Sequence, residues 1–217
     1  MDKRIVNIAL TSTILNFIEA YPEENSLQEV AERIVEQLQT FEDLQRRDKT
    51  KHTVLTVSYI LIDKLMAELR EDQQISCYKG CAHCCRMNVD VTPMEVELII
   101  DFCKQNNIVI NQAYLLLQST IPKTELAFTP ALATCTFLSK DNLCTIYPVR
   151  PMSCRKWMVT TPSELCNIPK YPTAQIGAWI DLNAEIVAAA INTLQGVESD
   201  SLPKILLQQL KKEILKG

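Results

Sequence analysis

Apolar residues recur at helical spacing over most of the chain, and the breaks between the runs divide it into elements. The first run stops at the sequence YPEEN and comprises Val6, Leu10, Ile14, Phe17 and Ile18. Ser26 and Glu29 then have the spacing of a capping box. An apolar face follows at Leu27, Val30, Ile34, Leu38 and Phe41. We predict an amphipathic helix that ends at YPEEN and a second helix that begins after Ser26.

The segment from about residue 53 to residue 72 carries apolar side chains over more than one helical stripe. They are Val54, Val57, Tyr59, Ile60, Leu61, Leu65, Met66 and Leu69. A helix that is apolar on several sides is expected to be covered on several sides. We predict a third, well-covered helix that leads the chain to Cys77.

The sequence VTPMEVELIIDFCK predicts a fourth helix. Thr92 is placed to cap it, Pro93 takes the first helical position and Glu95 completes the cap. One face of this helix carries Val96, Ile99, Ile100 and Cys103. Free cysteine is often buried as a small hydrophobic residue, so we assign Cys103 to the core.

Two further helices are predicted towards the C-terminus. In TAQIGAWIDLNAEIVAAAINTLQG, one side of the predicted helix carries Ile176, Ile180, Val187, Ile191 and Leu194. Gly196 is a suitable C-terminal stop for it. The sequence LPKILLQQLKKEILKG predicts a last, short helix.

Residues 119–172 interrupt the helical pattern with prolines, which disrupt helix interiors. These are Pro122, Pro130, Pro148, Pro151, Pro162, Pro169 and Pro172. A structureless segment of this length is unusual in a compact domain unless it is disordered, functional or cross-linked. We predict an all-α fold with helical layers around an irregular cysteine-rich module. The expected parts are an N-terminal helical region at 1–72, the module at 73–170, and C-terminal helices at 171–217 that pack on the same core.

Composition narrows the class of protein. The chain has 217 residues, 47% hydrophobic and 22% charged, which is the mixture of a globular protein. Its 4 glycines leave few positions for tight hairpins or phosphate-binding loops. The net charge of −4 and the lack of basic runs argue against nucleic acid or an anionic membrane surface as a partner. No stretch of about 18 apolar residues is present to span a bilayer.

The chain contains 9 cysteines, an odd number, and no recognisable export signal. This combination favours the reducing cytoplasm, where thiols bind metal or react instead of pairing. Apart from Cys103, the cysteines form two stretches. One is CYKGCAHCC, residues 77–85, and the other lies in the proline-interrupted segment at Cys135, Cys144, Cys154 and Cys166.

These residues resemble the CxxCxxCC, or YkgJ-like, family of zinc- or iron-chelating domains. The similarity runs through CYKGCAHCC, VTPMEVELI, CTFLSKDNLCTIYPVRPMSCRKW and a final ELC, and covers about residues 77–166. The first gap departs from the pattern, because it has three residues (YKG) where the family name implies two. The resemblance implies eight metal-chelating cysteines: Cys77, Cys81, Cys84, Cys85, Cys135, Cys144, Cys154 and Cys166.

The chemistry of thiolates supports a metal site. They are soft, strong ligands for Zn²⁺ and iron–sulfur clusters, and a gap of two or three residues lets a turn direct two sulfurs at one metal. Neighbouring side chains diverge, so we expect Cys84 and Cys85 to face different metals or one of them to bridge two. Eight thiolates satisfy two Zn²⁺ ions, or one four-cysteine cluster with four sulfurs left over. The count favours two zinc ions, with iron or a [4Fe-4S] cluster as the alternative.

Basic side chains lie within a few residues of the proposed ligands. Two Zn²⁺ ions with eight thiolates carry a charge of about −4, which nearby cations would offset. The candidates are Lys79, Arg86, Arg150, Arg155 and Lys156. Arg150 and Arg155 flank Cys154, and we expect them to have a structural or functional role. Since enough sulfurs are present, we interpret His83 as an exposed loop residue and not as a ligand.

An enzymatic alternative comes from the spacing C-x3-C-x2-C at Cys77, Cys81 and Cys84, with which radical-SAM enzymes hold a [4Fe-4S] cluster. Those enzymes use a β/α barrel, and this chain has neither alternating strand and helix patterns nor the length for one. The flagellin lysine N-methylases carry a similar cysteine domain, which keeps methyl transfer open. No glycine-rich nucleotide loop or HExxH motif is present.

Three classes of function follow. The favoured one is a metal-binding protein that senses, stores or delivers zinc or iron. The second is an iron–sulfur enzyme or electron carrier, including a methylase-related activity. The third is a protein-interaction module in which zinc is structural and the helical flanks bind a protein partner.

Overall fold

The chain is represented by a computed structural model. It describes residues 8, 10–50, 52–72, 74–129, 132–196 and 199–215. These residues are mainly helical, with 57% helix, including 8 α-helices, and 5% strand. The prediction of a helical fold is confirmed. No helix in the described ranges is both long enough and apolar enough to cross a membrane.

The helices and strands are the following, in chain order. The helices are α1 (Ser12–Ala20), α2 (Leu27–Arg47), α3 (Thr53–Asp72), α4 (Pro93–Gln105), α5 (Gln112–Ser119), α6 (Met152–Lys156), α7 (Leu182–Gln195) and α8 (Leu202–Ile214). The strands are β1 (Asp90–Val91), β2 (Met158–Val159), β3 (Ala178–Trp179) and β4 (Asp200–Ser201). Strand β1 pairs with β4 and β2 with β3, both antiparallel. The elements form two compact units.

The first unit contains α1, α2, α3 and α7. Helix α2 begins with the predicted capping box, in which Ser26 Oγ accepts the Glu29 N–H at 3.2 Å and Glu29 Oε2 accepts the Ser26 N–H at 3.0 Å. Its buried face packs against α7, which also contacts α1 and α3. Helix α1 ends before YPEEN as predicted, whereas Val6, at the start of the predicted run, lies outside the described residues.

Helix α3 has the predicted span but not the predicted coverage. Its buried side chains include Leu55, Ile62 and Met66, which lie on one side of the helix. Ile60, predicted to be covered, is 62% exposed. The prediction that α3 is covered on several sides is therefore wrong at Ile60.

Helix α7 begins later than its apolar pattern predicts. Asp181 caps it by accepting the Ala184 N–H at 2.7 Å. The residues just before it pair with β2 as strand β3, so the predicted helical start between 173 and 181 is wrong. Gly196 ends α7 as predicted, in a left-handed conformation with φ of 60°.

Replacing Gly196 by alanine is expected to destabilise the protein by about 1–2 kcal/mol, the cost of a Cβ in the left-handed region. No atom lies within 4 Å of an added Cβ, so the cost arises from the backbone alone. Gly196→Asn is the matched control and is expected to cost less, since asparagine tolerates this conformation. Urea unfolding of the two variants measures the difference. Equal stability of Gly196→Ala and the unmodified protein would contradict this account.

The second unit contains α4, α5, α6 and α8, the four strands and all nine cysteines. Helix α4 has the predicted cap, with Thr92 Oγ1 accepting the Glu95 N–H at 3.3 Å and Pro93 in the first turn. Its predicted apolar face is buried, and α8 packs against both α4 and α5. Helix α5 was not predicted. Asn111 caps it by accepting the Tyr114 N–H at 3.0 Å.

The proline-interrupted segment is anchored to the core of the second unit. Phe137 and Ile146 are 1% and 2% exposed and belong to the same buried cluster as the apolar face of α4. Lys123 Nζ lies 2.8 Å from a carboxylate oxygen of Asp90 and 2.9 Å from one of Asp200. The irregular backbone is interrupted by short helical turns, by α6 and by β2. Pro130 lies outside the described residues. Hydrophobic packing therefore holds part of this segment.

Cys103 lies in the core, as predicted, and is 2% exposed. Burial raises the pKa of its thiol to about 11. A raised folded-state pKa gives a stability contribution that is complete below the ordinary thiol pKa and is lost as pH rises towards 11. Between about pH 9 and 11, the free energy of unfolding of the unmodified protein is therefore expected to fall further than that of the Cys103→Ala variant. The expected difference is on the order of 2 kcal/mol. Denaturant unfolding across this pH range measures the difference, and parallel curves would contradict it.

Candidate metal centre

The first cysteine stretch is a series of tight turns. Cys81 donates its N–H to Tyr78 O at 3.0 Å, and Gly80 makes this turn with φ of 89°. A 3-10 turn at Cys84–Arg86 follows, in which the Cys85 N–H bonds to Ala82 O at 3.2 Å. The four thiol residues of this stretch are all half-buried. The three-residue gap after Cys77 is thus accommodated by a glycine turn.

Cys135 and Cys144 occupy two similar turns, Cys-Thr-Phe and Cys-Thr-Ile. In each, the amide two residues later, of Phe137 or Ile146, donates a hydrogen bond to the cysteine sulfur. The side chains of Phe137 and Ile146 are in the core. The Thr145 N–H bonds to Phe137 O at 2.8 Å, which joins the two turns. Amide hydrogen bonds to sulfur stabilise the thiolate form that a metal requires.

Cys154 lies on α6, and the backbone around it is held by a buried arginine. Arg155, 3% exposed, donates from Nε to Arg150 O at 2.9 Å and from Nη2 to Pro148 O at 2.5 Å. Ser153 Oγ donates to Asp90 O at 2.9 Å. The expected structural role of Arg155 is thus visible in its contacts.

Backbone hydrogen bonds connect the two cysteine stretches. The Cys135 N–H donates to Cys85 O at 2.7 Å. At the other end of the first stretch, Ser76 donates its N–H to Val159 O at 2.9 Å. Cys166 follows in a 3-10 turn at Ser163–Cys166 and is 7% exposed. Residues far apart in the sequence therefore lie side by side at both ends of CYKGCAHCC.

One set of thiols, here called the first thiol group, comprises Cys84, Cys135, Cys144 and Cys154. Burial, and then the charges of Cys144 and Cys84, raise the pKa of Cys135 to about 12. Burial also raises the pKa of Cys154 well above its ordinary value, and so do the other three members of the group. Cys154 nevertheless keeps an exposed surface. Cys154 is thus within electrostatic range of the other three members, and Cys135 of Cys144 and Cys84.

A second thiol group comprises Cys77, Cys81 and Cys166. Burial raises the pKa of Cys166, followed by the charges of Cys77, Cys81 and Cys84. Cys84 therefore interacts with both groups. Its own pKa is raised chiefly by a hydrogen bond with the Cys85 thiol, and then by burial.

The thiols have the chemistry of a zinc or iron site but are not arranged as a closed one. Across the parts of the chain that the structure describes, no group of three or more His, Cys, Asp or Glu side chains is placed to hold a metal ion. The soft sulfur donors and the amide hydrogen bonds at Cys135 and Cys144 suit both metals. The assignment of eight ligands therefore stays a prediction.

The basic side chains differ in their relation to the thiols. Arg150 stacks over the Tyr147 ring, 4.0 Å from its centroid, and its charge lowers the pKa of Cys144 against the larger effect of burial. Arg86 bonds to Ala82 O at 3.4 Å, and Lys79 is exposed. His83 is half-buried at the start of the 3-10 turn, not fully exposed as predicted.

Sequence reasoning did not find two polar residues of α5 that hold the backbone before Cys135. Gln118, 4% exposed, donates from Nε2 to Leu132 O at 2.6 Å and to Thr134 O at 2.9 Å. Tyr114 donates its hydroxyl to Thr134 O at 2.9 Å. Asn111 before an apolar run was the one available sign of this helix.

The fold and site define a helical protein with a cysteine-rich module in which two stretches of thiols meet. Residues 76–171 match the model of a family described as CxxCxxCC, putative zinc- or iron-chelating domain. The resemblance predicted from the sequence is confirmed over these residues. No curated protein and no solved structure matches the chain.

Proposed function

We propose that this protein binds two zinc ions with ligands drawn from the eight cysteines Cys77, Cys81, Cys84, Cys85, Cys135, Cys144, Cys154 and Cys166. The observation that carries the proposal is the hydrogen bond from the Cys135 N–H to Cys85 O, which brings the two cysteine stretches into contact. Support also comes from the match to a family of metal-chelating domains.

The two thiol groups suggest how the ligands divide. The first thiol group supplies four sulfurs, the number that a tetrahedral Zn²⁺ site takes. The second supplies three sulfurs and reaches four in one of two ways. With Cys85 all eight cysteines bind, whereas with a shared Cys84 seven sulfurs bind the two ions and Cys85 is not a ligand. Sharing is favoured by the interaction of Cys84 with members of both groups.

The exposure of the thiols favours metal storage or delivery over a purely structural role. The four cysteines of the first stretch are half-buried, which leaves metal ions a route to and from solvent. Structural zinc sites are closed by comparison. All nine cysteines are free thiols, which fits the reducing cytoplasm.

Anaerobic purification followed by elemental analysis and an absorption spectrum tests the proposal. Two zinc atoms per chain without visible absorption are expected. Visible absorption with iron would favour the iron–sulfur alternative, since zinc thiolates do not absorb visible light. A preparation with neither metal above background would contradict metal binding altogether.

A further inference from the structure

Glu95 is a buried carboxyl group with partners in two distant parts of the sequence. It is 2% exposed. Its Oε2 accepts the Thr92 N–H at 2.8 Å and the Thr92 hydroxyl at 3.0 Å, as expected of a capping residue. Its Oε1 accepts the N–H of Met152 at 2.7 Å, across 57 residues of sequence. One side chain therefore holds the first turns of both α4 and α6.

Helix α6 needs such an anchor. It has five residues, far fewer than the ~12–15 at which isolated helices become even marginally stable. The Met152 N–H lies in the first helical turn and has no acceptor within the helix. Pro151, at the cap position, makes no side-chain hydrogen bond that would replace the carboxylate.

We propose that Glu95 is a positioning residue for Cys154, holding α6 so that this sulfur points into the first thiol group. The inference rests on the proposed metal binding for its functional meaning. Both carboxylate oxygens accept N–H or O–H donors, which gives Glu95 the contacts of a positioning residue.

The contribution of Glu95 to the site is geometric. Its hydrogen bond with the Met152 N–H fixes the start of α6, two residues before Cys154.

Two substitutions separate positioning from simple capping. Glu95→Ala removes both acceptors, and Glu95→Gln, the milder variant should the alanine protein fail to fold, keeps one acceptor oxygen. Thr92→Val is the matched control. It removes the hydroxyl of the α4 cap, with one donor to Glu95 Oε2, but keeps the Thr92 N–H bond to that oxygen and the contact of Glu95 Oε1 with Met152. Each protein is compared with and without zinc.

We expect Glu95→Ala to weaken one of the two zinc equivalents by about 10–100-fold, the usual effect of losing a group that orients a ligand. Chelator competition measures this. In metal-free protein, hydrogen exchange at Met152 and alkylation of Cys154 are each expected to become about tenfold faster. Thr92→Val should leave the zinc affinity, the hydrogen exchange at Met152 and the alkylation of Cys154 unchanged.

Unchanged Cys154 alkylation in the metal-free Glu95 variants would overturn the inference. Equal changes in Thr92→Val would overturn it too, since a general loss of stability would then explain them. An unmodified protein that binds no zinc contradicts the proposed function instead, and the metal-free measurements still decide the role of Glu95.

Discussion

Cys84→Ala is expected to lower the affinity for both zinc ions, and by more than about 100-fold for at least one of them. Replacing Cys154 or Cys166 by alanine should lower the affinity for only one ion. A lost ligand should cost more than the 10–100-fold typical of groups that only orient ligands. Cys84 is singled out because its charge acts on thiols of both groups, on Cys154 in one and on Cys166 in the other.

Cys103→Ala is the control for removing a cysteine from the same unit. Cys103 is buried in the core and outside both thiol groups, so its loss should leave the metal content at that of the unmodified protein. Metal per chain, measured after gel filtration under anaerobic conditions, gives the comparison. A Cys84→Ala protein that retains one zinc equivalent with undiminished affinity would show that this sulfur is not shared.

Removal of the metal is expected to loosen the segment 132–171 and leave α2 and α7 intact. Structural zinc contributes about 10–16 kcal/mol of apparent binding free energy in small peptides, comparable with the roughly 5–15 kcal/mol that stabilises a whole domain. Outside the buried anchors Phe137 and Ile146, this segment has short helical turns and little regular structure. Its order should therefore depend on the metal far more than that of the helices.

Hydrogen exchange before and after chelation measures this effect. Faster exchange is expected across both cysteine turns and α6, with unchanged protection in α2 and α7. The control is the same chelator applied to Cys84→Ala, which should show little further change. Unchanged exchange and protease sensitivity after complete metal removal would mean that packing alone orders the segment.

The helices that the sequence predicted well have local start and stop patterns. The capping boxes at Ser26 and Thr92 and the terminal glycine at Gly196 depend on residues three or four positions apart, and all three are present. The predicted start of α7 was wrong because pairing with β2, some twenty residues earlier, replaced helix at β3. Helix α5 was missed because the whole helix is only eight residues long.

The candidate site likewise has parts that the sequence predicted and parts that it did not. Cysteine spacing indicated a metal site at residues 77–85, and the family resemblance implied all eight proposed ligands. The supports were not predictable, because Glu95 and Met152 are 57 residues apart, and Gln118 bonds to a loop 14 and 16 residues later. Such contacts form only when α4, α5 and α6 pack, and no local pattern encodes them. Glu95 was recognised as a cap, but its second oxygen was not accounted for.

Native alkylation of the metal-loaded protein, followed by mass spectrometry at each cysteine, tests most directly whether the sulfurs of residues 77–85 and 135–166 gather around common ions. The account predicts that cysteines from both stretches are protected together and become reactive together when a chelator is added. Protection confined to one stretch, with the other fully reactive throughout, would contradict it.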